Sequence, residues 1–282
     1  MNELIITLAT VAGCCALYCF VVGEITGNNS QMDKLWSILP PVYVWIAAAE
    51  GGFAPRLLIM AALVTIWGAR LTWNFARKGA YSWKFWAGEE DYRWGWLRAR
   101  GAFRNRLVWA LFDLFFISIY QNLLVLLTVM PVVVAYGSDA PLGILDVLSA
   151  VLMLGFIILE TVADEQQWKF QTTKWGMISA GRKLEDLPEP YCLGFNTTGL
   201  WSRARHPNYL GEQGTWLSFY IFSIAAGASV INWSITGSVL LILLFFGSST
   251  LAEYISSSKY PQYGQYRKSV CRYFPFSCSR VK

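Results

Sequence analysis

Forty consecutive residues, 213–252, carry no charged side chain, and this run constrains the fold more than any motif in the chain. At 1.5 Å rise per residue it is twice as long as a helix needs to cross a hydrocarbon layer of about 30 Å. Gly227 and Asn232 supply a turn within it, so it is read as two helices, 207–228 and 233–253. The same test marks 4–23, 35–50, 54–76, 107–136 and 141–163, giving seven spans. A hydrophobic content of 55% against 15% charged residues lies outside the habit of soluble domains. The chain is therefore expected to be an all-α integral membrane protein, one membrane-embedded domain over 1–282. Residues 4–23 also resemble a signal sequence, but Glu3 stands where a basic region belongs and no small-x-small cleavage site follows, so they are read as an anchor.

Basic residues set the expected orientation. With seven spans, the segments 24–34, 77–106, 164–206 and 254–282 share one side and hold 21 of the 23 Lys and Arg, which places them in the cytoplasm and the N-terminus outside. The net charge of +5 then reflects topology and headgroup contact, with no basic and aromatic array that would suit nucleic acid. The six cysteines have no C-x-x-C spacing, and reduced thiols are expected. A single histidine with scattered cysteines supplies no metal ligand set.

Polar residues at membrane depth are costly, so each is a functional suspect. Asp33, Trp36, Pro40, Tyr43, Ala47 and Glu50 recur at spacings of three and four, one face of a helix with Asp33 at its inner end and Glu50 toward its outer end. Taken singly, Asp33 serves equally as a cap and Glu50 as a water-facing terminus. Trp67, Arg70, Asn74 and Arg77, with Lys78 adjacent, form a second stripe that is basic. Snorkelling accounts for Arg77 and Lys78, whereas Arg70 lies deeper and calls for a carboxylate or phosphate partner. In the following loop the acidic group around Asp91, Tyr92 and Arg93 is either a ribose-hydroxyl acceptor or a solvated turn. Glu160 and Asp164 are four apart with Lys169 beyond them, suited to ordering a ligand's amide or hydroxyl groups or to a structural salt bridge.

The densest constellation is Arg205-His206-Pro207-Asn208-Tyr209-Leu210-Gly211-Glu212. Pro207 suits the first position of a helix, which makes His206 its cap and puts Arg203 and Arg205 beside a positive helix end where a phosphate fits. Asn208, Tyr209 and Glu212 then project from the first turns. Headgroup binding by the two arginines, with His206 as an ordinary cap, is the simpler alternative.

These residues carry a resemblance. Gly199-Leu200-Trp201, the 205–212 block, and Tyr263-Gly264-Gln265-Tyr266-Arg267-Lys268 with Phe274-Pro275 resemble the steroid 5α-reductase superfamily, and more closely its bacterial branch, which also shows an Asp-x-x-Trp motif (Asp33 to Trp36) and Glu-Asp-Tyr-Arg (Glu90 to Arg93). The resemblance implies a seven-helix enzyme, in a bacterial inner membrane, that takes NADPH from the cytoplasmic side and a Δ4-3-keto steroid or similar lipophilic enone from the bilayer and saturates the carbon–carbon double bond. It implies cofactor contacts for Asp164, Asn208, Glu212 and Arg267. Glu50 matches a second-helix glutamate that serves the substrate carbonyl. The family's third-helix tyrosine has no counterpart, since Trp67 stands near its place, and Tyr43 is the substitute donor.

Asp33, Tyr43 and Glu50 are thus the candidate catalytic set, with Glu50 or Tyr43 donating to the carbonyl from a lipid-like pocket. With no G-x-G-x-x-G after a strand, the cofactor is expected to lie among helices. Arg70, Arg77, Lys78, Arg203 and Arg205 would meet its phosphates. Two rival readings stand beside this one. Membrane methyltransferases of the isoprenylcysteine type share an Arg-His-Pro block and a similar tail and bind S-adenosylmethionine. A sterol carrier on the same bundle leaves the inside polar cluster without a task.

Overall fold

The structure is a computed structural model that describes residues 1–274; Pro275, the end of the tail motif, lies outside the described residues. It is built from helices, and among the described residues the only sheet-like pairing is an isolated bridge between Ala204 and Cys271. By contacts the chain divides into two compact units, Met1–Val151 with Leu217–Leu240, and Leu152–Trp216 with Leu241–Lys282.

Unit 1 begins with α1, Asn2–Thr26, which Gly27 ends by turning left-handed (φ 69°) and returning its N–H to the Gly23 carbonyl. The expected helix over 35–50 is broken in two, α2 over Gln31–Trp36 and α3 over Leu39–Glu50. Pro40 and Pro41 explain the break, because neither has an N–H to give and proline disfavours helical geometry in the residue before it. α4, Pro55–Ala76, starts on its proline, packs against α3, and leads to α5, Tyr92–Arg98. A long span follows over Arg106–Tyr136, composed of α6 (Arg106–Phe112), a π-helical segment (Asp113–Tyr120), α7 (Gln121–Thr128) and α8 (Pro131–Tyr136). α1 lies along the π-helical segment and α7.

Arg56 anchors the far end of this unit. Its Nε donates to Asp146 Oδ1 (2.7 Å) and its Nη2 to Asp146 Oδ2 (3.0 Å), while further bonds reach the carbonyls of Ala140, Pro141 and Ala225. The fold uses Arg56 as a buried clasp.

The remaining helices are α9 (Ile144–Ser179), α10 (Pro207–Ala225), α11 (Thr236–Lys259) and α12 (Tyr263–Ser269). In unit 2 an aromatic core of Phe195, Tyr263 and Tyr266 supports the tail, and Arg205 and His206 donate their backbone N–H groups to the Cys271 and Arg272 carbonyls. Cys14, Cys15, Cys19 and Cys192 are free, but Cys271 is disulfide-bonded, contrary to the reduced state expected of every thiol.

Five helices among the described residues are long and apolar enough to cross a membrane: α1, α4, the 106–136 span, α9, and the helix over Trp233–Lys259 that includes α11. This is a membrane protein. Two of the seven expected spans do not meet the test. At 12 residues α3 is about 18 Å long and too short for about 30 Å of hydrocarbon, and the 19 residues of α10 are diluted by Asn208, Glu212 and Gln213.

Candidate functional site

The polar cluster of unit 2 is made possible by two glycines. A Cβ on Gly211 would lie 2.6 Å from the Glu160 Cβ, and one on Gly214 would strike the Phe156 ring, so α10 lies against α9 at van der Waals distance along these positions. That approach buries Glu160, Asp164 and Glu212 and brings Asn208 Nδ2 to 3.3 Å from Asp164 Oδ1. The Trp216 indole donates to Glu212 Oε1 (3.1 Å). Asn208 Oδ1, and Gln167 Oε1 one turn beyond Asp164, are buried acceptors with no hydrogen-bond partner in the protein. Buried polar atoms of this kind are rare and point to a ligand or water that completes them.

Beside this seat lies a second group around Glu253, which is 1% exposed. Arg205 Nε donates to its Oε1 at 2.8 Å and His206 Nε2 lies 3.1 Å from the same oxygen; Arg267 and Arg272 approach Oε2 at 3.4 and 3.6 Å. Arg205 is further fixed by bonds to the Arg267 and Val270 carbonyls. Burial pushes the His206 imidazole below its usual range, against the opposite pull of Glu253. Its ring stacks on Tyr209, which in turn meets Phe245. One carboxylate thus faces three guanidinium groups, and Arg267 remains half exposed.

The comparisons with known proteins bear on the whole chain. The family model described as a protein of unknown function, DUF1295, matches residues 19–270. The chain belongs to the DUF1295 family. It is 36% identical over 286 residues to an uncharacterized protein of Schizosaccharomyces pombe, an alignment that covers 92% of this chain and 78% of the relative. No solved structure matches it.

Within this DUF1295 protein the structure gathers Glu160, Asp164, Arg205, His206, Asn208, Tyr209, Glu212 and Arg267 of the expected site into unit 2. It leaves two others out. Lys169 is an exposed side chain 4.0 Å from Glu165, its neighbour one turn away, and Arg203 is exposed after a short 3-10 turn. Arg205 also departs from its expected phosphate role, because Glu253 and two carbonyls occupy its donors. Glu253 itself went unread in the sequence, although a carboxylate directly after forty uncharged residues was a signal in its own right.

Unit 1 holds the other candidates. Tyr43 is fully buried and its hydroxyl has no hydrogen-bond partner. Glu50 ends α3 and is exposed, which removes the pocket expected around it; the break before α3 also interrupts the face it was to share with Asp33. Asp33 accepts from the Trp94 indole at 2.9 Å, and burial followed by the nearby Asp91 pushes its carboxyl up.

Asp91 caps α5 through the Arg93 N–H and pairs with the Arg93 side chain at 2.8 Å. Burial works to raise Asp91, but the guanidinium overrides it and holds the carboxyl below its usual range. These two residues chiefly order their own turn, with Tyr92 exposed beside them. On α4, Asn74 is buried and accepts from Arg77 Nε and Nη2 at 3.0 and 2.8 Å, Arg70 is half-buried, and Lys78 is exposed. Lys34, which sequence reasoning passed over, is fully buried and donates to the Phe85 and Ala87 carbonyls at 2.9 and 2.8 Å, strapping the 80–90 loop to α2. Burial pushes its ammonium pKa down. Among the described residues no group of three or more His, Cys, Asp or Glu is placed to hold a metal ion.

Proposed function

We propose that this protein is an NADPH-dependent reductase of the carbon–carbon double bond of a lipophilic enone, a Δ4-3-keto steroid or a molecule of similar shape. The observation that carries the reading is in unit 2, where a seat lined by acceptors adjoins a cluster with more guanidinium groups than its carboxylate can neutralise. A nicotinamide nucleotide needs both. Its carboxamide and ribose hydroxyls are donors that suit Asn208 Oδ1, Gln167 Oε1 and the carboxylates of Asp164 and Glu212. Its phosphates suit Arg267 and Arg272, the guanidinium groups that share Glu253 with Arg205. The DUF1295 family includes steroid 5α-reductase-like proteins, which supports the same reading.

When bound, the cofactor supplies a hydride to the enone β-carbon. From the sequence, Tyr43 is given the hydrogen bond to the carbonyl, where enolate charge develops; within unit 1 its phenol is buried and has no internal partner. Glu50 is exposed and is given no part in proton donation. The segments rich in Lys and Arg are assigned to the cytoplasmic side, with the cofactor entering from there. If the organism is bacterial, the inner membrane is the matching compartment.

One observation favours the methyltransferase alternative. The carboxylates of Glu160, Asp164 and Glu212 would also attract the ammonium and sulfonium of S-adenosylmethionine. Titration of the purified protein with NADPH and, in parallel, with S-adenosylmethionine separates the two. Enone-dependent loss of nicotinamide absorbance, tested with progesterone, is the expected result. Binding of adenosylmethionine without NADPH would transfer the chain to the methyltransferases.

A further inference from the structure

Between α1 and the 106–136 span of unit 1 runs a cavity of about 430 Å³, within the range of small-molecule sites, roughly 300–1,000 Å³. One wall is a stripe of small side chains, Ala9, Ala12, Gly13 and Ala16. The opposite wall is apolar apart from Asn122, the one polar side chain in the lining among the described residues.

Asn122 is the informative part. It is 1% exposed, and its Nδ2 donates to the Ser118 carbonyl at 2.8 Å and lies 3.7 Å from Cys19 Sγ. Those contacts fix the amide, because the carbonyl oxygen of Ser118 can accept only from the nitrogen. The other amide atom is therefore Oδ1, which is buried and has no hydrogen-bond partner. A buried acceptor left so has lost its water without gaining a donor in return. Acyl chains carry no donor, and neither does a ketone or an ester. A hydroxyl does.

We propose that this groove binds an apolar membrane lipid bearing a single hydroxyl, of the sterol or long-chain alcohol class, with its O–H donated to Asn122 Oδ1. The apolar walls fit the hydrocarbon body, and the small residues of α1 let it lie close to the helix. The site belongs wholly to unit 1 and uses none of the residues assigned to cofactor or carbonyl, so it stands or falls independently of the reductase reading.

The test uses the full chain in phosphatidylcholine nanodiscs and two photoreactive probes, a long-chain alcohol carrying a diazirine and its methyl ether. The alcohol is expected to label peptides of α1 and α7 about fivefold more than the ether. Asn122→Leu should erase that preference while leaving the weaker apolar labelling. Gly13→Leu, where an added Cβ meets nothing within 4 Å, puts an apolar side chain into the groove and should reduce labelling by both probes. Equal labelling by alcohol and ether in the unaltered protein would overturn the proposal and leave ordinary acyl chains as the occupants. So would a preference that survives Asn122→Leu.

Discussion

Arg56 and Arg205 are both buried arginines that meet a buried carboxylate far along the chain, yet they organise their surroundings in opposite ways. Arg56 engages Asp146, 90 residues away, with two bonds of its own and spends its remaining donors on carbonyls, so the group is closed. Arg205 shares Glu253, 48 residues away, with His206, Arg267 and Arg272, so positive charge is left over and reaches the surface through Arg267. A closed ionic group holds helices together and offers nothing to a ligand. An open one does both, and the unpartnered acceptors of Asn208 and Gln167 beside it extend the same contrast.

The largest effect is expected from Glu253→Ala, which strands Arg205 in the interior. Breaking a buried pair from one side costs about 3–5 kcal/mol, so thermal unfolding should fall sharply and NADPH binding should vanish with it. Arg56→Met is expected to cost about 3 kcal/mol by the same reasoning, but with unchanged NADPH affinity in a binding titration. Equal damage to cofactor binding by the two variants would break the comparison.

Tyr43→Phe sharpens it from the other side. Removing a hydroxyl that has no internal partner should leave the melting temperature in place and lower turnover by about 100-fold, the usual worth of a positioned proton donor; Glu50→Gln, at an exposed helix end, should change turnover far less. Asn208→Ala is expected to weaken NADPH by about tenfold, or 1.4 kcal/mol, with little loss of stability.

The smallest effect concerns pH. Because burial depresses the His206 pKa in the folded state, the unfolded chain takes up the proton first as pH falls below the ordinary value of 6.5. Stability should then be full above about pH 7.5 and decline on acidification through about 6.5 toward 5. His206 is the chain's only histidine, and the difference between the unaltered protein and His206→Gln in a denaturant series across that window isolates its part.

Much of this was legible in the amino acids. The start of α10 at Pro207, the flanking basic residues, and the projection of Asn208 and Glu212 from its first turns could be read from local spacing, because capping, proline geometry and helical period act over a few residues. Asp164, 44 residues from Asn208, was joined to them only through the family resemblance. The helix break before α3 was also written there, in Pro40 and Pro41, but uniform hydropathy across 35–50 hid it. Glu50 was misplaced for a related reason. A shared face on an unbroken helix would have turned it inward, whereas a terminus after a restarted helix leaves it exposed.

The sequence by itself determined a helical membrane protein and the residues at which polar chemistry would gather, since hydrocarbon length and uncharged runs admit no other backbone than one that satisfies its own hydrogen bonds. Only the tertiary structure decided which charges meet. The choice of Glu253 over an outside anion as the partner of Arg205, and of Asp146 for Arg56, depends on contacts 48 and 90 residues apart. No local pattern encodes such pairs. They form because a buried charge must find its opposite wherever the packing of helices brings one within reach.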